Sequence, residues 1–513
     1  MSTYNETAKN IVKEAIRSAI YIDEKAIEPF DKMDGTESEE EKKSMVMYDS
    51  FKKEAITLSV LKYTQERYAE FFNYTFQNRD LVLLDWELEG TGQGGEKALE
   101  ILSEIVCNQQ HIHFCAIYTA EKDKDNVLKN IISYFSNTTK SEYEDYKMGL
   151  ESNDQIKNVA CNHFNQLILH RDKANEMLRC YADIINEVHN EINAENKLCS
   201  LIKCAIAFGN LCKSNNKLPC PISFDAQTYT LIIENTLIQI LNKQETAPDT
   251  LINSLSENIA NYKWGVMQLF GLEMQNIYRK KSSFVSPNVL QVSKKALAYH
   301  KKNRGEDFQD FIKSVLVEHN AVSLRNEKLS LVNSIGEEDV CESDTELIAM
   351  NVFYNSTCLN DNKKLSFGDV FKSDSDYYIC ITALCDCAFP EDKINNSFFF
   401  AKGSYIKPST ALKSAETGFV SFLDERNAVN WDSDNFNDGK ISYIKPICFT
   451  IPNNTIVDGK IKGYQLDKEG NRKEMDFQYV TTIKQNYAQR IANHTFAYPV
   501  RVGVDFVKIV ENN

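Results

Sequence analysis

The chain has 513 residues, of which 42% are hydrophobic, and it carries a formal net charge of −15. That length fits about three domains of ordinary size, and the apolar content is sufficient for several cores. An acidic chain of this kind lacks the clustered Lys and Arg of a nucleic-acid-binding surface and is not attracted to anionic lipid. Nucleic acid and membranes are therefore excluded as the main partners, and small molecules and proteins are expected instead.

The sequence carries no sign of export or membrane insertion. No run approaches the roughly 18–20 uninterrupted apolar residues that span a bilayer, and the first residues, MSTYNETAKN, lack the basic-then-apolar order of a signal peptide. We therefore expect a cytoplasmic protein. Its 14 cysteines show no disulfide framework spacing, so in a reducing compartment most should be free thiols that serve as small apolar side chains.

Residues 1–155 alternate strand-like and helix-like segments, which is typical of a parallel sheet wrapped by helices. The acid-rich stretch DKMDGTESEEEKK (31–43) is predicted to be a mobile loop inserted into this domain. The predicted strands are SAIYID (18–23), AITLSVLKY (55–63), DLVLLDW (80–86) and HIHFCAIYTA (111–120), and the predicted helices are 64–79, 96–106 and 124–135.

The next region, residues 156–330, has apolar residues at helical spacing and few glycines, so it predicts an all-helical middle domain. The first predicted helix, about nine turns long, fits either a connector or a helix through which two copies dimerise. The predicted helices are 161–192, 228–241, 250–280 and 308–322.

Residues 340–513 contain short alternating strands separated by Asn, Asp and Gly. This pattern is typical of a β-rich domain built as a small barrel or sandwich. A last helix is predicted over residues 484–498 and a last strand over residues 500–507. The whole chain is thus predicted to combine an α/β, an α and a β domain.

Acidic and hydroxyl side chains end three predicted strands of the first domain: Asp23 and Glu24, then Asp85, then Thr119. Ligands collect at the carboxyl ends of parallel strands. Carboxylates held close together repel each other unless a cation lies between them, and oxygen ligands favour Mg²⁺. The pattern suits phosphoryl transfer to Asp85, with Mg²⁺ held by Asp23, Glu24, Asp85 and the backbone carbonyl of Glu87. Taken singly, each residue is also compatible with a turn or a helix cap, which for Thr119 alone is the favoured interpretation.

These motifs resemble a two-component response receiver, a domain of flavodoxin-like doubly wound fold. The matching features are the pair Asp23-Glu24 after SAIYI, Asp85 in LVLLDWEL and Thr119 in FCAIYTA. LLDWEL looks most similar to the divergent receivers of bacterial anti-phage two-component systems, the Detocs type among them. The resemblance implies a response regulator that accepts a phosphoryl group on Asp85 from a sensor histidine kinase, uses Thr119 as a switch, and signals to a downstream effector protein.

Receivers normally also carry a lysine at the end of a fifth strand. After Phe135 the sequence SNTTKSEYEDYKMG offers Lys140 and Lys147, but neither follows an apolar strand. Two alternatives therefore stay open: a receiver that gates a latent effector enzyme in the C-terminal domain, and a pseudo-receiver scaffold that takes no phosphate. In the favoured interpretation the chain is a phosphoacceptor rather than an enzyme.

The C-terminal domain contains a cluster of thiols, Cys380, Cys385 and Cys387. With His494 or Cys358 as a fourth ligand this cluster would make a zinc site. It could instead supply a catalytic pocket by the logic of a Cys/His pair, formed by Cys385, Asp386, His494, Arg490 and Arg501. Simple packing within strands and turns is the favoured interpretation.

Overall fold

The computed structural model describes residues 3–29, 38–70, 74, 77–88, 95–108, 111–135, 222–281, 285, 289, 291–304, 308–336, 343–357, 362–414, 419–431, 444–466 and 469–497. The chain divides into two compact units: Met1–Asn303 with Phe308–Gly336, and Glu337–Asn513 with Arg304–Asp307. Within the described ranges, no helix has the length and apolar character that crossing a membrane would need.

The N-terminal unit is built on a seven-stranded sheet. Its strands are β1 (Ser18–Asp23), β2 (Thr57–Lys62), β3 (Leu81–Leu84), β4 (His113–Thr119), β5 (Ile222–Asp225), β6 (Thr230–Ile233) and β7 (Thr236–Asn242). The order across the sheet is β2-β1-β3-β4-β7-β6-β5. Strands β2, β1, β3, β4 and β7 run parallel, which is the order of a flavodoxin-like doubly wound sheet with β7 in the fifth place. The predicted parallel α/β sheet is confirmed.

Helices cover both faces of this sheet. They are α1 (Tyr4–Ala15), α2 (Glu39–Lys53), α3 (Gln65–Glu70), α4 (Glu96–Asn108), α5 (Lys124–Tyr134), α6 (Leu251–Ala260) and α7 (Val266–Lys281). Apolar residues of α4 and α5 pack on one face, and those of α1, α2, α6 and α7 pack on the other. Because both faces are buried, β3 and β4 are apolar almost throughout and show no polar alternation.

The predicted helix over residues 228–241 is wrong, because this segment forms the hairpin β6–β7. Ile233 ends one strand and Thr236 begins the next, and between them Glu234 adopts a φ of +52°. The segment is rich in Thr and Ile, whose β-branched side chains suit strands. Burial on both faces removes the alternation that would have separated strand from helix. The middle region is therefore not all helical, and its strands complete the N-terminal sheet.

Other predictions for the two N-terminal regions had mixed outcomes. The predicted helix 250–280 consists of two helices, α6 and α7, and the predicted helix 308–322 is confirmed as α9 (Phe308–Leu324), which follows α8 (Lys294–Arg304). The predicted helix 161–192 lies outside the described residues. The predicted acidic loop is wrong in its last part, since α2 begins at Glu39, where Ser38 and Glu41 form a reciprocal capping box.

The C-terminal unit contains a closed β-barrel. Strands β10 (Asp369–Ser373), β11 (Asp376–Cys380), β12 (Ser397–Ile406), β15 (Pro446–Thr450), β17 (Lys460–Leu466) and β18 (Arg472–Ile483) follow one another in the order β11-β10-β18-β17-β15-β12, and β12 pairs back to β11. Of the predicted barrel or sandwich, the barrel is the form observed. The predicted last strand, 500–507, lies outside the described residues.

Smaller elements complete the C-terminal unit. Phe371, Phe400, Phe449 and Phe477 pack edge to face or stacked in the core of the barrel. The predicted last helix is confirmed as α14, residues Gln485–Ala497. The remaining elements are α10 (Asp344–Asn355), β8 (Ser356–Thr357), β9 (Lys363–Lys364), α11 (Leu384–Ala388), α12 (Pro390–Ile394), α13 (Pro408–Ser414), β13 (Val420–Phe422), β14 (Ala428–Asn430) and β16 (Thr455–Ile456).

Candidate functional site

The carboxyl ends of β1, β3, β4 and β7 meet at one edge of the N-terminal sheet. Asp23 ends β1, Asp85 directly follows β3, and Thr119 ends β4. All three side chains are buried and line a cavity of about 230 Å³. Glu24 and Glu87 line the same cavity and are more exposed. The structure thus brings together all five residues that the sequence singled out.

A lysine that the sequence analysis missed lies at the centre of this cavity. Lys243 directly follows β7, and its side chain is only 7% exposed. Its ammonium nitrogen lies 2.7 Å from Asp23 Oδ2 and 3.0 Å from Asp85 Oδ2. One buried cation is therefore shared by two buried carboxylates. Lys140 and Lys147, the candidates from the sequence, lie outside the described residues.

The position of Lys243 follows from the sheet order. Strand β7 pairs in parallel with β4, so the residue after β7 emerges at the edge where Thr119 ends its strand. The backbone N–H of Lys243 donates to the Thr119 carbonyl at 2.7 Å. Residues 135–235 separate β7 from α5 in sequence, which is why a search directly after Phe135 could not find the lysine. The sequence does contain a mostly apolar run, LIQIL (237–241), that is followed by Asn-Lys, and this run is the pattern that indicates a strand ending near a lysine.

The two carboxyl groups differ in their environment. Burial is the largest influence on Asp85 and raises its pKa to about 6, since Lys243 and the Trp86 N–H, which donates to Oδ1 at 2.9 Å, offset it only in part. Burial would also raise the pKa of Asp23, but the charge of Lys243 and the hydrogen bonds to this carboxylate outweigh it and lower the pKa. Asp23 is therefore the better stabilised anion of the two.

Asp85 and Asp23 keep the side chain of Lys243 protonated. Burial alone would lower its pKa, but the charges of Asp85 and Asp23 outweigh this and raise it. A cation held beside the carboxylate of Asp85 can neutralise negative charge that arrives there. This is the chemistry that transfer of an anionic group to Asp85 would need.

The cavity also has oxygen ligands suited to Mg²⁺. Among the described residues, no three His, Cys, Asp or Glu side chains converge as a metal-binding cluster. Mg²⁺ does not require one, because it keeps several waters and is commonly held by one or two carboxylates. Asp23 and Asp85 share a single ammonium group and so retain a net negative charge, to which Glu24 adds at the rim. The residues present therefore fit a hydrated divalent cation.

The cysteine cluster of the C-terminal unit does not form a zinc site in the described part of that unit. Cys380 and Cys387 are buried in the barrel, whereas Cys385 is exposed on α11. The His494 ring packs on Phe419 with a centroid separation of 4.2 Å. These side chains are not among any convergent set of three metal-binding groups in the described ranges. Cys358 and Arg501 lie outside those ranges.

Comparison with known proteins identifies part of the N-terminal unit. Residues 15–166 match the family model described as the response receiver domain. This match agrees with the resemblance noted in the sequence and supports a phosphoacceptor role of the response-regulator kind. No curated protein and no solved structure matches the chain. Lys243 lies beyond the matched residues, so its membership of the site rests on the structure.

The backbone after Asp85 is held in place by the buried side chain of Trp86, which packs against Gly95. Trp86 is 2% exposed and packs in the core beneath Gly95, which has a φ of +79° just before α4. A Cβ atom at Gly95 would lie 2.2 Å from the Trp86 ring, so the site tolerates no side chain there without a shift of the indole.

We predict that Gly95→Ala destabilises the N-terminal unit by about 2 kcal/mol or more, because it adds a clash with a buried ring to the backbone strain of a positive φ. The matched control is Gly470→Ala, since Gly470 has a φ of +84° with nothing within 4 Å of an added Cβ. The control should lose only about 1 kcal/mol of backbone strain. Denaturant unfolding of the full chain measures both, and equal losses would contradict the packing argument.

A second prediction concerns pH. The pKa of Asp85 is higher in the folded protein, about 6, than its ordinary value of 3.8. Because the folded protein holds the proton of Asp85 more tightly than the unfolded chain does, protonation of Asp85 stabilises the fold. This stabilisation is fully present below about pH 4 and is lost as the pH rises through about 6. Asp85→Asn removes the ionisation, so the variant should be more stable than the wild type by about 3 kcal/mol at pH 7.5 and close to it near pH 4. Unfolding measured in chelator across this range would show the gap, and a constant gap would contradict the raised pKa.

Proposed function

We propose that the chain is a response-regulator-like signalling protein whose Asp85 accepts a phosphoryl group from a partner histidine kinase. The observation that carries the proposal is the Lys243 ammonium group 3.0 Å from the Asp85 carboxylate, inside a cavity at the carboxyl edge of a receiver-like sheet. The resemblance of LLDWEL to divergent receivers supports a role in anti-phage defence signalling of the Detocs type. This role belongs to the proposal.

The reaction needs an ionised Asp85. One carboxylate oxygen forms the bond to phosphorus while the bond from phosphorus to the donor's histidine nitrogen breaks, and the departing imidazole keeps that electron pair and takes a proton from solvent. Lys243 would stabilise the oxygens of the transferred group, since its charge lies beside Asp85.

Bound Mg²⁺ would neutralise charge on the phosphoryl oxygens. In the proposal the residues that hold it are Asp23, Glu24, Asp85 and the backbone carbonyl of Glu87, all of which line one cavity. These groups orient the donor, and the buried walls of the cavity limit the access of water to the acyl phosphate that forms.

Thr119 is the proposed switch. Its hydroxyl now accepts a hydrogen bond from the Glu121 N–H at 3.0 Å. A phosphoryl group on Asp85 would add three acceptor oxygens for which this hydroxyl is a donor. The Thr119 loop is coupled to β7, because Asn242 Nδ2 donates to the Glu121 carbonyl at 2.7 Å. A change at Thr119 would therefore be transmitted to the hairpin that carries Lys243.

The same loop is tied to the hairpin at a second point. Lys124 forms a salt bridge of 2.8 Å with Glu245 and lies 4.7 Å from the centre of the Tyr229 ring. Phosphorylation would thus alter the surface made by the starts of α5 and β6 and the end of β7. A downstream effector protein would read this surface, and a dimer through residues 161–192 remains part of the proposal.

The two alternatives are weaker. The pseudo-receiver scaffold was motivated by a missing lysine, and Lys243 supplies a group of that kind. The latent effector enzyme has no favouring observation in the described part of the C-terminal unit, since Cys380 and Cys387 are buried and His494 packs on Phe419. The phosphoacceptor is therefore the function best supported.

We predict that a small acyl phosphate with Mg²⁺ adds one phosphoryl group to the wild-type chain, as measured by intact mass. Asp85→Asn should take none, because the amide is no nucleophile. Lys243→Met should label at least about tenfold more slowly, because the transferred charge loses its buried cation.

The matched control is Lys124→Met, which removes a lysine at the start of α5 whose partner Glu245 is exposed. This variant should label like the wild type. Equal labelling of Asp85→Asn and the wild type would show that Asp85 is not the acceptor. Normal labelling of Lys243→Met would show that Lys243 does not assist the transfer.

A further inference from the structure

Tyr21 is a buried residue of β1 that neither the sequence motifs nor the family match singles out. Its hydroxyl donates a hydrogen bond to Asp23 Oδ2. Its ring is 3% exposed and meets Tyr118 edge to face, with centroids 6.4 Å apart. The ring is therefore fixed by packing, and the hydroxyl is aimed at one oxygen of the site.

Both oxygens of the Asp23 carboxylate are engaged. Oδ1 accepts from the Lys25 N–H at 2.7 Å, and Oδ2 accepts from Lys243 at 2.7 Å as well as from Tyr21. A cation that binds Asp23 through Oδ2 must displace one of these donors, because an oxygen that already accepts two hydrogen bonds has no lone pair left. In its metal-free state Asp23 acts as the anchor of Lys243.

We infer that Tyr21 is a positioning residue whose hydroxyl holds Asp23 against Lys243 and competes with a divalent cation for Oδ2. This inference rests on the proposed function, since it concerns the cation expected at the same cavity. If a cation took Oδ2 while Tyr21 kept its hydrogen bond, Lys243 would lose its shorter contact, the one with Asp23, and would stay with Asp85 alone. Tyr21 would thus link occupation of the metal site to the placement of the lysine at the acceptor.

A substitution can remove the competition without removing the packing. Tyr21→Phe keeps the ring against Tyr118 and deletes only the donor to Asp23. Since a hydrogen bond to a charged acceptor is lost from the metal-free state, the variant should bind Mg²⁺ more tightly than the wild type, by about threefold or more. A side chain with a merely structural role would leave the affinity unchanged or weaken it.

The matched control is Tyr118→Phe. Tyr118 is also buried, its ring packs against that of Tyr21, and its hydroxyl donates to the Thr246 carbonyl at 2.8 Å rather than to a carboxylate. Loss of the Tyr118 hydroxyl should change the Mg²⁺ affinity by less than about twofold, because no oxygen that would bind the cation loses a hydrogen-bond donor.

The experiment is a Mg²⁺ titration of the full chain monitored by tryptophan fluorescence, since Trp86 directly follows Asp85 and its backbone N–H donates to Asp85 Oδ1. Tighter binding by Tyr21→Phe, with Tyr118→Phe close to the wild type, would support the inference. Equal or weaker binding by Tyr21→Phe would overturn it.

Failure of the proposed function would show in the wild type. A wild type that binds Mg²⁺ and is labelled at Asp85, while Tyr21→Phe binds no more tightly, would overturn the role of Tyr21 alone. A wild type that neither binds Mg²⁺ nor takes phosphate would overturn both.

Discussion

The candidate site depends on one shared ion pair: the Lys243 ammonium group between the Asp23 and Asp85 carboxylates. All three groups are buried, so each is costly to hold as an ion without the others. Burial is the largest cause of the raised pKa of Asp85, about 6, and the negative charge of Asp23 adds to it, while Lys243 offsets only part of the increase. A carboxylate kept reactive by its surroundings is what a phosphoacceptor requires.

The sheet order explains how residues far apart in sequence reach this arrangement. Strands β1, β3, β4 and β7 are parallel, so the residue that follows each one emerges at the same edge. Strand β7 enters the sheet as part of a hairpin with β6, and β5 pairs beyond it. A long segment between α5 and β5 therefore does not disturb the order of the strands that form the site.

Much of the site could be predicted from the sequence because it follows short buried strands. SAIYID, LVLL and HFCAIYT are apolar runs that end in Asp23, Asp85 and Thr119, and each is a strand. Lys243 could not be placed in the same way, because the sequence predicts a helix over residues 228–241, where the structure has β6 and β7. In TLIQILN every residue is buried, so neither a period of two nor one of 3.6 is visible. Tyr21 was missed for a related reason: in a buried strand a tyrosine looks like any other apolar side chain.

The central claim is that Asp85 receives the phosphoryl group, and chemical mapping tests it most directly. An acyl phosphate on an aspartate is reduced by borohydride to homoserine, whereas an unmodified carboxylate is not. The wild-type chain would be incubated with a small acyl phosphate and Mg²⁺, reduced and digested, and its peptides sequenced by mass spectrometry. We expect homoserine at position 85, with Asp23 unchanged. Homoserine at another position, with Asp85 intact, would contradict the claim.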